Sequence, residues 1–210
     1  MLKGKPFVKW AGGKRQIMKD IKKYIPDNYS TYYEPFVGGG AVFFELAPKK
    51  AVLNDYNKEL MNVFECIKDE IRFEKMCNEL NHHEANHSEE YYYKIRDLDR
   101  DKKKFNKLVD YKRAARTIYL NKACFNGLYR VNKNGEFNVP CGKYKNPTIC
   151  DAKNLRNLSK LLQNVVFEYG DYKKCVKYID TNTFVYFDPP YRPLSITSGF
   201  TSYTKLFQMV

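Results

Sequence analysis

No two cysteines in this chain have the C-x-x-C spacing, although six are present, at 66, 77, 124, 141, 150 and 175. The irregular spacing excludes a zinc knuckle or a disulfide frame and points to reduced, buried thiols in a cytoplasm. Long apolar runs are missing as well. None reaches the roughly 20 residues a membrane span needs, and Met1-Leu2-Lys3-Gly4-Lys5 has no apolar signal region. There is no G-x-G-x-x-G, so no dinucleotide fingerprint. Internal repeats, Gly/Ser linkers and low-complexity tracts are also absent. The few histidines, His82, His83 and His87, sit among Asn and Glu. They read as a solvated loop, and no metal site is expected.

Acid is scarce relative to base. The chain has 24 Asp+Glu against 37 Lys+Arg, a formal net charge of +13. Such a field favours polyanionic partners, whether DNA, RNA or an anionic membrane surface. A length of 210 residues and 43% hydrophobic content suit one domain with an inserted subdomain. Tyrosine (18) and phenylalanine (14) are abundant, enough to fill a core and leave some rings for base stacking.

The N-terminal part has the grammar of a parallel α/β sheet. Residues 14–25 read as a helix with Ile17, Ile21, Tyr24 and Ile25 on one face, ended by Pro26. A strand over 31–36 runs into Gly38-Gly39-Gly40 and a short helix, 41–46. A buried strand over 51–53 ends at Asn54-Asp55. A helix over 58–68 then turns Leu60, Val63, Phe64 and Ile67 inward. Residues 71–122 read as wholly helical and basic, and 125–140 as a β-hairpin, with Asn134-Gly135 suggesting a type I′ turn. The α/β grammar resumes with a helix over 151–162 capped by Asp151, a strand over 165–167, a helix over 172–179 and a strand over 184–187. The expected division is a catalytic domain of residues 1–69 and 151–210, interrupted by an insert of 70–150.

Four features bear on chemistry. In Glu34-Pro35-Phe36-Val37-Gly38-Gly39-Gly40, a strand turns through glycines into a helix, so backbone at Gly38 and Gly40 can approach a ligand closely; a plain structural turn fits too. Asp55 ends the next strand, where α/β folds grip ribose hydroxyls, and where it would equally serve as a helix cap. Asp188-Pro189-Pro190-Tyr191 follows Val185-Tyr186-Phe187 at the carboxyl end of a strand. An aromatic amino group is a poor nucleophile because its lone pair is delocalised. Two acceptors, the Asp188 carboxylate and the Pro189 carbonyl, would hold both N–H groups and localise that pair, with Tyr191 stacked on the base. A proline-rich turn with an exposed tyrosine is the plainer alternative. The hairpin supplies Arg130, a candidate for bidentate pairing with guanine; an incidental surface arginine is its alternative.

In this order these stretches resemble the Dam/DpnII-type (D12 class, group alpha) adenine-N6 DNA methyltransferases that act on GATC, EC 2.1.1.72. Phe7-Val8-Lys9-Trp10-Ala11-Gly12-Gly13-Lys14-Arg15-Gln16 looks like that family's N-terminal cofactor motif, Tyr33 to Gly40 like its glycine motif and Asn54-Asp55 like its acidic motif. Residues 121–140 look like its target-recognition hairpin and Asp188 to Tyr191 like its catalytic motif. The resemblance implies a Rossmann-like, S-adenosylmethionine-dependent α/β fold with an inserted helical and β-hairpin DNA-recognition subdomain. It implies a cofactor site of Trp10, Lys14, Glu34, Pro35, Phe36, Gly38, Gly40, Asp55, Asp171, Tyr172 and Asp188. It also implies duplex DNA as partner, with Lys9 and Arg130 on guanines and Leu128 and Pro140 near the central bases. Phe125 and Asn126 would fill the gap left by a flipped adenine. The family's pattern continues beyond residue 210, so the strand over 184–187 is expected at or near a sheet edge, completed by further chain or by a partner. Two other readings compete: a DNA-binding remnant without chemistry, and a methyltransferase acting on RNA adenine or on cytosine N4.

Overall fold

A computed structural model describes residues 4–190. Its sheet has four parallel strands, β1 (Thr31–Glu34), β2 (Ala51–Asp55), β3 (Val165–Tyr169) and β4 (Thr183–Val185), in the order β3-β2-β1-β4. A parallel sheet is covered on both faces, so its inner strands read as near-continuous apolar runs. Tyr32, Tyr33, Ala51, Val52 and Leu53 are accordingly all buried. Chain order reverses between β1 and β4. In open α/β sheets, ligands bind in the crevice at the carboxyl ends of strands flanking such a switch point. Glu34 to Gly40 follow β1 and Asp188 follows β4, so the sheet order itself brings these segments together. Among the described strands β3 and β4 are the two outermost.

The helices follow in chain order: α1 (Met18–Ile21), α2 (Ala41–Leu46), α3 (Lys58–Lys68), α4 (Glu70–Ala85), α5 (Glu89–Arg96), α6 (Lys102–Lys107), α7 (Asp110–Ala123) and α8 (Ala152–Leu162). Helix α3 buries the four residues anticipated for it, Leu60, Val63, Phe64 and Ile67, and is capped by Asn57, whose side chain accepts the Leu60 N–H. Asp151 caps α8 in the same way through the Asn154 N–H. Helix α7 is buried almost all round from Ala114 to Asn121, as a helix at the centre of a core must be. It packs on both α3 and α4 and joins the basic helical segment to the sheet in one apolar core.

Four expectations need correction. Residues 14–25 are not one amphipathic helix. Two 3₁₀ turns, Lys14–Ile17 and Lys22–Tyr24, flank the single α turn of α1. The tighter winding changes which residues share a face. Ile17 and Tyr24 are therefore exposed, and Met18 is buried instead. The hairpin pairs through only two isolated antiparallel bridges, Cys124↔Cys141 and Val131↔Phe137. Its turn is also different. Gly135 alone of the Asn134-Gly135 pair has positive φ (73°), its N–H bonds the Asn132 carbonyl, and the Asn132 N–H bonds the Glu136 carbonyl. This is a three-residue loop with a left-handed glycine last, not a type I′ turn. The cause is local: Asn132 Oδ1 accepts the N–H of Asn134 (2.9 Å) and Glu136 (3.0 Å), an Asx arrangement that competes with the I′ geometry.

Of the three histidines only His87 stands in a loop, half-buried, with Nδ1 2.9 Å from the Tyr119 hydroxyl. His82 and His83 lie in the last turns of α4, and His83 is buried. His83 Nδ1 is 2.8 Å from the Tyr91 hydroxyl, and burial lowers its pKa to about 4, so the ring is neutral. Finally, residues 172–178 wind as a 3₁₀ rather than an α-helix. The cysteines Cys66, Cys77 and Cys124 are buried and Cys141 and Cys150 half-buried, all as free thiols. Among the described residues no helix is long and apolar enough to cross a membrane.

Candidate active site

The turn after β1 is fixed from several directions. Asp55, at the end of β2, accepts the Gly38 N–H on Oδ2 and the Asn57 N–H on Oδ1, each at 2.9 Å. It thus braces the glycine turn, while the cap of α3 is Asn57. Asn54, buried, donates its amide to the Pro35 carbonyl (2.9 Å) and the Gly170 carbonyl (3.1 Å), tying the turn after β1 to the turn after β3. Gly38 lies at φ 49°, and Gly40, at φ 73°, starts α2. Trp10 covers this turn: a Cβ added to Gly38 would stand 2.7 Å from its Cδ1. On its other side the indole meets Tyr129 of the hairpin, ring centroids 4.9 Å apart.

Asp188 enters from β4. Its Oδ2 is 2.5 Å from Lys14 Nζ, and the same ammonium donates to the Gly12 carbonyl at 2.7 Å. The N-terminal motif therefore reaches the catalytic motif through one lysine. Phe36, Tyr172 and Phe187 form a cluster of rings with centroids 5.1–5.6 Å apart. Asp171 precedes Tyr172 and accepts the Lys173 N–H at 2.8 Å. Pro189 and Pro190 are exposed. Tyr191 lies outside the described residues.

Glu34 is buried beneath this site and accepts the Tyr32 hydroxyl hydrogen at 2.8 Å. Burial pushes its pKa up to about 8; the Tyr32 bond opposes the rise, and the nearby Asp188 and Asp55 carboxylates add to it. Burial also raises the Asp55 carboxyl, against the N–H groups of Asn57 and Gly38. At neutral pH Glu34 holds a proton, which keeps three clustered acids from all being charged.

The linkage has a definite sign. Unfolded, Glu34 titrates at the ordinary 4.5 of a glutamate, and folded at about 8. Between these values the folded state keeps a proton that the unfolded state has released, so stability falls as pH rises through the window and the loss is complete above 8. Thermal unfolding from pH 5 to 9 should show this decline, on the order of a few kcal/mol across the window. Glu34→Gln, which cannot ionise, should be visibly flatter. Parallel curves for the two proteins would contradict the assignment.

One buried amide ties Lys9 to the hairpin that carries the other predicted DNA-reading residues. Asn121 Oδ1 accepts the Lys9 N–H at 2.8 Å, and its Nδ2 donates to the carbonyls of Lys9 (2.9 Å) and Gly127 (3.1 Å). Lys9 is exposed, its ammonium 5.8 Å from the Tyr144 ring centroid. Phe125 is half exposed and its N–H bonds the carbonyl of Pro140, also exposed; Asn126 is left-handed at φ 56° and Leu128 half-buried. Arg130 is held by Asn138, through Nε to Oδ1 at 2.8 Å and Nη2 to the backbone carbonyl at 3.3 Å. Sequence pattern places Asn54, Tyr129 and Asn121 within motifs but assigns none of them the bridging contacts seen here. For Asn121 a signal existed: a lone amide in the otherwise apolar run Ile118-Tyr119-Leu120.

The sequence profile of the family described as D12 class N6 adenine-specific DNA methyltransferase matches residues 10–208. Among curated proteins, a type II methyltransferase of Lactococcus lactis subsp. cremoris, M1.LlaDCHI, is 48% identical over 202 residues, covering 95% of this chain and 70% of that protein. The type II methyltransferase M.MjaIII of Methanocaldococcus jannaschii is 48% identical over 215 residues, 96% of this chain and 74% of that one. A DNA adenine methylase of Escherichia coli K12 is 38% identical over 207 residues, 97% of this chain and 70% of that one. With the profile spanning nearly the whole sequence and identities this high, the chain belongs to the D12 class of N6 adenine-specific DNA methyltransferases, EC 2.1.1.72.

Proposed function

We propose that this chain moves a methyl group from S-adenosyl-L-methionine to N6 of an adenine flipped out of duplex DNA, within GATC. The observation that carries this reading is the meeting of Asp188 with Lys14 at the switch point, beside the Gly38–Asp55 turn. Residues 70–150 act as the target-recognition insert, and the working compartment is the cytoplasm, on nucleoid DNA.

The residues present suit the cofactor. The Gly38 turn leaves no room for a side chain and brings backbone close to a ligand. Asp55 suits ribose hydroxyls, the Phe36, Tyr172 and Phe187 rings suit an adenine face, and the Trp10 indole over the Gly38 turn offers a π face to a cationic ligand. Pro35, Gly40 and Asp171 shape the turns around them. Bound there, the cofactor supplies a methyl already activated by its sulfonium. The protein has to remove the adenine from the stack and aim N6. Asp188 and the Pro189 carbonyl accept the two N6 hydrogens, which localises the lone pair on nitrogen, and Tyr191 stacks on the base. Lys14 fixes the Asp188 carboxylate for this task. Phe125 and Asn126 occupy the gap in the duplex, Lys9 and Arg130 read guanines, and Leu128 and Pro140 face the central pairs.

The test is incubation with unmethylated duplex and methyl-labelled cofactor. N6-methyladenine confined to GATC, with protection in a methylation-sensitive digest, is the expected result. Folded protein that leaves adenine unlabelled would reject it, and label spread over other sites would reject the GATC assignment. Affinity should also fall steeply with salt, as it does wherever lysines and arginines displace phosphate counterions.

A further inference from the structure

We propose that Asp99 and Arg100 are positioning residues for sequence reading: they grip the return arm of the hairpin at Phe137 and so set where Arg130 stands. The proposal rests on the reading of Arg130 as a guanine contact.

The hairpin's arms are joined sparsely, by two isolated bridges and by the backbone bonds of Phe125 to Pro140, Asn132 to Glu136 and Asn138 to Arg130. A cavity of about 190 Å³ also lies behind it, with Asp99, Arg116, Tyr129 and Phe137 in its wall. Tyr129, Val131, Phe137 and Val139 pack into the core, and the cavity leaves that packing incomplete on this side. Polar groups from the insert make up the difference. Asp99, 4% exposed, accepts the Phe137 N–H on Oδ2 at 2.8 Å. Arg100 bonds Asp99 Oδ1 through Nη1 and donates to the Phe137 carbonyl through Nη2, both at 2.7 Å. Both backbone groups of Phe137 are thus held by side chains from outside the hairpin.

The grip is anchored in turn. Arg116 of α7, also buried, lies 2.9 Å from Asp99 Oδ2 and is fixed by bonds to the carbonyls of Ile95 (2.8 Å) and Arg96 (2.5 Å). Two residues past Phe137, the Val139 carbonyl accepts the Tyr92 hydroxyl hydrogen at 2.9 Å. Between them stands Asn138, which holds the Arg130 guanidinium at Nε and Nη2 and bonds the Arg130 carbonyl through its own N–H. A connected path of hydrogen bonds therefore runs from α7 through Asp99 to Phe137, and along one residue of backbone to Asn138 and Arg130. A bidentate contact to a base tolerates little displacement, so the anchoring that fixes Arg130 also fixes its selectivity.

Removing Asp99 leaves the Arg116 charge buried against a weaker partner, and Asp99→Asn is exposed to misfolding. Arg100 is partly exposed, and Arg100→Gln leaves the Asp99–Arg116 pair in place. Both variants would be compared with wild type for methyl transfer to a GATC duplex and to a duplex changed at the guanine. Cofactor affinity would be followed by the fluorescence of Trp10, the one tryptophan in the chain. Arg100→Gln should lower the ratio of kcat/KM between the two duplexes by roughly ten-fold, within the worth of one bidentate contact, with cofactor affinity unchanged. Arg100→Lys, a point charge unable to span both groups, should fall between. If wild type discriminates and Arg100→Gln keeps the full ratio, this proposal alone is overturned. A wild type indifferent to that guanine would instead overturn the reading of Arg130, and this inference with it.

Discussion

Asp188→Ala should lose methyl transfer by roughly 10²–10³-fold, the usual cost of deleting one preorganised hydrogen-bonding group at a reacting centre. In the proposed mechanism the protein aims and polarises N6, and Asp188 is the charged half of the acceptor pair that does so. Its carboxylate is already oriented, with Oδ2 2.5 Å from Lys14 Nζ. The N-terminal segment keeps other tethers in the variant, the Asn121 bonds to the Lys9 backbone and the packing of Trp10 against Gly38 and Tyr129. Cofactor affinity should consequently fall far less than the rate. Asp188→Asn keeps one acceptor oxygen but turns two hydrogens toward a group that must itself donate, and should recover little. Single-turnover transfer, set against cofactor titration by Trp10 fluorescence, separates the two effects. A rate within ten-fold of wild type would remove Asp188 from the chemistry.

What was legible in the sequence was what is local in the chain. The segment from Thr31 to Lys68 could be read almost element by element, because each signal acts over a few residues: buried strands, glycines at a turn, an acid at a strand end and a helix with one apolar face. Asp188 was legible for the same reason, since the Asp-Pro-Pro run fixes its own backbone. What was not legible depends on partners far along the chain. Asn121 meets Lys9 across 112 residues and Asp99 meets Phe137 across 38. No periodicity announces either pairing. Errors also arose where two local preferences compete. Asn134-Gly135 favours a two-residue turn, but the Asn132 side chain captures the backbone first. Residues 14–25 have helical spacing, yet wind too tightly at both ends to keep one face. His83 was misplaced because polar neighbours in sequence hid an apolar neighbourhood in space, formed by Tyr91 and Tyr119.

Gly38→Ala is expected to weaken cofactor binding by about 10²-fold, the effect of combining left-handed strain with a steric conflict. At φ 49° an L side chain pays roughly 1–2 kcal/mol before it meets anything. Here the new methyl would stand 2.7 Å from Trp10 Cδ1 and 2.9 Å from Nε1. The indole has little freedom to retreat, since Gly39 lies close to its Cβ and Tyr129 packs against its ring, centroids 4.9 Å apart. Relief has to come from the turn, which would pull the Gly38 N–H from Asp55 and disturb the acid that braces the site. Gly135→Ala is the matched control. Its φ of 73° imposes similar strain, but the added methyl has no heavy atom within 4 Å, and the position lies at the far turn of the hairpin. It should lower stability by about 1 kcal/mol and leave cofactor affinity intact. Titration calorimetry is the suitable measurement, because the added methyl abuts the indole and would change Trp10 fluorescence whether or not binding changed. Equal affinities for the two alanine variants would show that the Gly38 turn does not approach the cofactor.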